Sequence, residues 1–362
     1  MMLLFYRVFP LVLIVVIAAG AFWFLRRLLR TWSAGTLSVR QTRALAVISV
    51  LIALPAGKIT SMWTLFFLLL AGSLLLWEGL FAIGERVGKR RFPRLRFSGI
   101  TALFSAIALM ITGCLNASNI HATHYALDTA LTKQYRILFL SDLHYPTTMD
   151  AAALEQLCAR LSQEQADLLI LGGDIVDENT SDEALSIVFE QLGAVETTYG
   201  VYYVYGNHDT GSYAALSQRP KQLEQALAAN DIHVLRDTSV RIDDELVVIG
   251  REDAKHPLDG QRADGAALLA QAGEGYQILI DHQPLERAEN ERLGVDLQLS
   301  GHTHNGQVFP IGMLSSLLSI NEQTYGLQTI GDLTSIVSSG AGGWGYAFRN
   351  EGICEYVVVD LS

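Results

Sequence analysis

Val201-Tyr202-Tyr203-Val204-Tyr205 runs straight into Gly206-Asn207-His208-Asp209, and the rest of the chain is organised around that junction. Five β-favouring residues that stop at a glycine form a strand end, and the amide, imidazole and carboxylate beyond it lie on a loop held by a rigid scaffold. An Asn side chain offers a hard cation only a neutral oxygen, so it makes sense as a ligand only beside carboxylates. His208 could be a second ligand or a general acid. Alone, the tetrapeptide is as readily a structural turn, and what decides is whether other strands end in the same way.

Four others do. Tyr135-Arg136-Ile137-Leu138-Phe139-Leu140 reads as a buried strand and leads into Ser141-Asp142-Leu143-His144. Leu168-Leu169-Ile170-Leu171 ends in Gly172-Gly173-Asp174-Ile175-Val176-Asp177, where paired glycines allow a tight turn that brings Asp174 into a crowded site. Asp177 could hold the turn or reach in behind the metal ligands, and the structural role is favoured. Tyr276-Gln277-Ile278-Leu279-Ile280 stops at Asp281-His282-Gln283-Pro284, and Val295-Asp296-Leu297-Gln298-Leu299-Ser300 runs into Gly301-His302-Thr303-His304-Asn305-Gly306-Gln307. Two histidines at i and i+2 between glycines are a strong metal signal, because neutral imidazole is a common ligand. Helices are expected over 150–163, 181–192 and 220–229, and short strands over 232–235, 240–242 and 246–249. His121, His124, His233 and His256 lie outside these patterns and read as structural or surface residues.

The first 116 residues are of another kind. They carry 13 Lys+Arg against Glu78 and Glu85 alone, whereas residues 117–362 carry 13 against 35 acidic residues. That acidic excess argues against nucleic acid as a partner. The mean hydropathy of +0.27 comes from four apolar runs, 3–25, 44–57, 62–83 and 98–115, set against the roughly 20 residues that cross a bilayer. The second is short, and spanning is favoured over a re-entrant path. Arg26, Arg27, Arg30, Arg40 and Arg43 lie between the first two runs, and Arg86, Lys89, Arg90, Arg91, Arg94 and Arg96 between the last two. The positive-inside rule places both links in the cytoplasm and the acidic domain outside it. Trp23, Trp32, Trp63 and Trp77 fall near span ends, as does Glu78. Residues 117–134 are polar and read as a linker to a domain over 135–362. Cys114, Cys158 and Cys354 define no disulfide framework.

Taken in order, Asp-x-His, Gly-Asp, Gly-Asn-His-Asp, His and Gly-His-x-His at five strand ends resemble the calcineurin-like metallophosphoesterases, and the apolar runs resemble their membrane-anchored bacterial branch. The closing run Val337-Ser338-Ser339-Gly340-Ala341-Gly342-Gly343-Trp344-Gly345 is similar to that branch's carboxy-terminal pattern. The resemblance implies an α/β fold, a four-layer α/β/β/α sandwich after a bundle of about four transmembrane helices. It implies one metal held by Asp142, His144, Asp174 and His304, and a second by Asp174, Asn207, His282 and His302, with Asp174 bridging. Two divalent cations roughly 3.5–4 Å apart can share a hydroxide and clamp an in-line displacement at phosphorus. A nitrogen and oxygen donor set without thiolate suits Mn, Fe, Zn or Co, with Mn favoured. By the same resemblance His208 protonates the leaving oxygen and Asp209 orients its ring. The expected activity is a metal-dependent phosphodiesterase on the cell membrane, its phosphate ester in one version lipid-linked, with no obligate protein partner. The alternative is an inactive, phosphatase-like sensor domain. The apolar stretch Phe309–Ile320 reads as a buried helix or strand, or as a segment that meets membrane lipid. Arg349 reads as a surface residue or a phosphate contact.

Overall fold

A computed structural model describes residues 2–32, 36–58, 60–88, 99–214 and 218–362. The chain divides into two compact units, Met1–Gly113 and Cys114–Ser362. The first contains α1 (Met2–Trp32), α2 (Val39–Ala53, extended by a 3-10 turn over Leu54–Gly57), α3 (Met62–Gly88) and the start of α4 (Ile100–Ala117). All four are long and apolar enough to cross a membrane, the second included once its 3-10 turn is counted. Their apolar side chains are exposed nearly all round, as with Val15, Leu75 and Ile83, the pattern of helices whose solvent is lipid rather than water. Inside the unit, Phe24 and Leu70 pack on Ala102 and Ala106, small residues that let helices approach closely. Arg27 pairs with Glu78, which gives the span-end carboxylate a partner. Lys89, Arg90, Arg91, Arg94 and Arg96 of the second basic link, and the side chains of Arg7 and Trp32, lie outside the described residues.

In the second unit two six-stranded sheets face each other. The first is ordered β1-β12-β2-β3-β4-β5, from β1 (Ile120–Leu127), β2 (Tyr135–Leu140), β3 (Leu168–Leu171), β4 (Val201–Tyr203), β5 (Ile232–Val234) and β12 (Cys354–Leu361). The second is ordered β10-β11-β9-β8-β7-β6, from β6 (Thr238–Arg241), β7 (Leu246–Gly250), β8 (Tyr276–Ile280), β9 (Leu297–Ser300), β10 (Gly326–Ile330) and β11 (Leu333–Val337). Successive residues of a strand point to opposite faces, and three apolar layers follow. Leu138 and Leu140 of β2 pack with α5 (Ala151–Gln163), α6 (Asp182–Gly193) and α7 (Arg219–Ala229) through Leu157, Phe189 and Leu227. Their neighbours Ile137 and Phe139 meet Leu246, Val248, Ile278 and Leu299 between the sheets. Val247 and Ile249, on the far face of β7, pack with Leu268 and Leu269 of α8 (Gly265–Ala272). This is the α/β/β/α sandwich.

Asp150 and Ser181 cap α5 and α6, each accepting an amide of the first turn. One expectation fails. Residues 120–127 are no linker but the edge strand β1, paired in parallel with β12 over eight residues. Its exposed positions, His121, Ala122 and His124 among them, face water; a half-solvated edge strand carries the polar composition of a linker. In the parallel run β2-β3-β4 and its counterpart β7-β8-β9, the carboxyl ends of β2, β3, β4, β8 and β9 carry the loops quoted above, where open α/β sheets place their sites.

Candidate active site

Backbone pairing continues past the strands and sets the first loops. The amides of Asp142, His144 and Tyr145 donate to the carbonyls of Gly173, Asp174 and Ile175, each at 3.0 Å, so the loops after β2 and β3 are fixed to each other. Asp142, His144, Asp174, His302 and His304 all have positive φ, between 46° and 71°. Left-handed backbone in a non-glycine residue costs roughly 1–3 kcal/mol and persists only where surrounding bonds enforce it. Glycine makes the room: a Cβ on Gly206 would collide with the Asp174 carboxylate, and one on Gly301 with that of Asp142.

The loops bring two groups of side chains together, Asp142 with His144 and His304, and Asp174 with His282 and His302. Asp142, His144, Asp174 and His282 are buried. The Nε2 atoms of His144 and His304 stand 3.2 Å apart, with Asp142 Oδ1 3.4 Å from His304 Nε2. Asp174 is central: its Oδ1 accepts the His208 amide at 2.8 Å, and its Oδ2 lies 3.2 Å from His282 Nε2 and 3.7 Å from His144 Nε2. His282 Nδ1 lies 2.9 Å from the Gly172 carbonyl, which fixes that nitrogen as a donor and turns Nε2 into the site. That buried Nε2 has no hydrogen-bond partner, nor does Nδ1 of His144 or of His304.

Burial opposes charge throughout. It is outweighed at Asp174, where His282 and His144 hold the carboxyl well below its ordinary value, and at His282, which Asp174 lifts well above its own. Burial with His282 and Lys255 nearby takes His302 down to about 3, and burial beside His144 lowers His304 too, leaving both as neutral imidazoles. Carboxylate oxygens and imidazole nitrogens, crowded within reach of one ion in each group, form a donor set that fits divalent cations. Asn207 is buried next to Asp174's partner His208, with its Nδ2 3.3 Å from the Tyr213 hydroxyl and its Oδ1 3.4 Å from Gln283 Nε2.

Asp209 corrects the sequence-based assignment. Its carboxylate does not meet the His208 ring; Oδ2 accepts the amides of Asp174 and Gly206 at 2.7 and 2.6 Å, and Oδ1 that of Val176 at 3.1 Å. It ties the β3 and β4 loops together, and burial beside Asp174 pushes its carboxyl up to about 7. The carboxylate at His208 Nδ1 belongs to Glu178, at 2.9 Å. Glu178 directly follows Asp177 in the loop after β3, so its position in the second motif was the only available signal. The His208 ring also packs at a tilt against Tyr213 and Trp344, at 4.7 and 5.3 Å between centroids. Asp177 is divided: Oδ1 accepts the Asn179 amide, and Oδ2 lies 3.7 Å from His144 Nδ1. Arg349 is neither at the surface nor free for a phosphate. It is fully buried and donates to the carbonyls of His304, Ser339 and Gly342 at 2.7–2.9 Å. The remaining histidines stay out of the site: His233 packs on Tyr202, and His256 packs on Tyr213.

Known proteins match this domain. Residues 135–306 fit the model of a family described as calcineurin-like phosphoesterase. An uncharacterized metallophosphoesterase of Helicobacter pylori (strain J99) is 32% identical over 225 residues, 60% of this chain and 57% of that protein. A transmembrane protein with metallophosphoesterase domain from Danio rerio is 30% identical over 227 residues, 59% of this chain and 50% of that one. An uncharacterized metallophosphoesterase of Aquifex aeolicus is 29% identical over 267 residues, 72% of this chain and 98% of its own length. The chain thus spans only about half to three fifths of the first two.

Proposed function

We propose that this chain, whose residues 135–306 belong to the calcineurin-like phosphoesterase family, is a membrane-anchored dimetal phosphodiesterase with its catalytic domain outside the cytoplasm. The observation that carries the reading is the convergence of carboxylates and imidazoles from four strand ends, with buried nitrogens of His144, His282 and His304 left without a hydrogen-bond partner. Asp142, His144, Asp174 and His304 would hold one divalent cation, and Asp174, Asn207, His282 and His302 the other. When bound, such a pair supplies Lewis acidity toward the phosphoryl oxygens and a water deprotonated near neutral pH.

The chain's own groups do the rest. The Gly172 carbonyl holds His282 in the tautomer that presents Nε2. His208, anchored by its amide on Asp174, carries the proton for the leaving oxygen, and Glu178 at Nδ1 sets the ring's orientation. Tyr213 and Trp344 wall the ring on the outer side. An inactive sensor would be expected to have lost a ligand or the acid; all eight side chains are in place. The extracytoplasmic placement rests on the arginine-rich links of the sequence. The test of the diesterase reading is the rate on bis(p-nitrophenyl) phosphate against p-nitrophenyl phosphate with Mn²⁺. Faster turnover of the diester supports the reading, and turnover of the monoester alone refutes it.

A further inference from the structure

The stretch 309–320 folds as α9 (Ile311–Leu317) with short flanks, and it is not buried. Phe309 is 58% exposed, Leu317 74%, Leu318 66% and Ile320 65%, with Ile311 and Met313 at about half. Such a contiguous run of large apolar side chains on a water-facing surface marks a binding face, and the chain itself indicates what covers it. The 18-residue helix α4 is about 27 Å long at 1.5 Å per residue, close to a bilayer's hydrocarbon core, so its last turn falls at the membrane surface. In that turn Asn116 donates to the carbonyls of Arg349 and Gly352, at 3.1 and 3.0 Å. The same loop holds the apolar segment: Asn350 Oδ1 accepts the Phe309 amide, and Glu351 accepts those of Gly312 and Met313, at 2.8–2.9 Å. A short relay of hydrogen bonds within the second unit therefore places the exposed face beside the point where the chain leaves the bilayer.

The other side of this segment is the metal loop. Gly306 and Gly312 are packed backbone to backbone, too closely for a Cβ on either. Gln307 holds Trp344, accepting its amide at 3.0 Å, and Trp344 packs at a tilt against His208.

We propose that Phe309–Ile320 inserts into the interfacial layer of the membrane, seating the loop Gly301–Gln307 at headgroup level, so that the site takes phosphate esters carried by lipid. The choice of substrate rests on the phosphoesterase reading above; the insertion does not.

Insertion is tested on the full chain in phosphatidylcholine proteoliposomes. Cys158 and Cys354 are buried, so Cys114→Ser leaves a background for nitroxide labels at Leu317→Cys and Leu318→Cys. Leu109→Cys in α4 serves as the lipid reference and Glu190→Cys on α6 as the water reference. The labels at 317 and 318 should collide with oxygen in preference to a water-soluble nickel chelate, as at 109. Chelate access equal to that at 190, or spin–spin broadening that reports a second copy on this face, overturns the proposal. For the substrate, Leu317→Glu with Leu318→Glu should lower hydrolysis of vesicle-bound hexadecyl p-nitrophenyl phosphate by at least about tenfold, given the weight of one buried leucine side chain. Hydrolysis of soluble bis(p-nitrophenyl) phosphate should stay within about twofold of the parent, a change too small for loss of an apolar contact. An equal effect on the two esters refutes lipid-borne delivery. Absence of hydrolysis of either ester by the parent protein would instead count against the phosphoesterase reading, while the label measurement still decides insertion.

Discussion

His208 Nδ1 lies 2.9 Å from Glu178 Oε1, whereas Asp209, adjacent in sequence, directs both oxygens to backbone amides. If His208 is the acid and Glu178 positions it, His208→Ala should lower kcat by roughly 10²–10⁴-fold, the range for general acid–base groups. Glu178→Gln should give part of that loss, and the double variant no more than His208→Ala alone. Both losses should be larger for alkyl than for p-nitrophenyl leaving groups, because a poor leaving group needs its proton more. A merely structural role for Glu178 would lower both rates alike.

Neighbours in one loop should behave differently. Asn207→Ala should weaken metal binding, read by metal content after dialysis, whereas His208→Ala should retain metal and lose rate. Equal metal loss in the two variants would remove His208 from the role of acid.

Arg349 links the fifth motif to the closing run through three carbonyls. Arg349→Met leaves those acceptors buried, and unsatisfied buried groups cost roughly 1–3 kcal/mol each. A fall in thermal midpoint together with weaker metal retention is expected, since the His304 loop loses its support. An unchanged midpoint would show that water replaces the guanidinium.

Orientation is open to labelling in intact cells. Cys158 is unsuited, being buried with its thiol pushed up to about 12 by burial. A Glu190→Cys variant on the exposed side of α6 should react with a membrane-impermeant maleimide without lysis. Reaction only after lysis would place the domain in the cytoplasm.

The site was legible in the sequence where chemistry sits directly behind an apolar strand. Asp142, His144, Asp174, His282, His302 and His304 each end or follow such a run, and the parallel sheets gather those ends. Glu178 was not legible, because the turn after β3, rather than sequence adjacency, decides which carboxylate reaches the His208 ring. Asp209 misled for the converse reason: its side chain substitutes for missing backbone pairing between two loops. The strand β1 was hidden by the polar side of an edge strand. The exposure of Phe309–Ile320 was hidden because an apolar run reads alike whether protein or lipid covers it.

The central claim is tested most directly by titrating Mn²⁺ into metal-stripped protein while following hydrolysis of bis(p-nitrophenyl) phosphate. The rate should be absent without metal and rise to a plateau at two equivalents per chain, as a dinuclear site requires, with no recovery in Asp174→Ala. A wild-type rate that persists in chelator, or no rate with Mn²⁺, Fe²⁺, Zn²⁺ or Co²⁺, would contradict it.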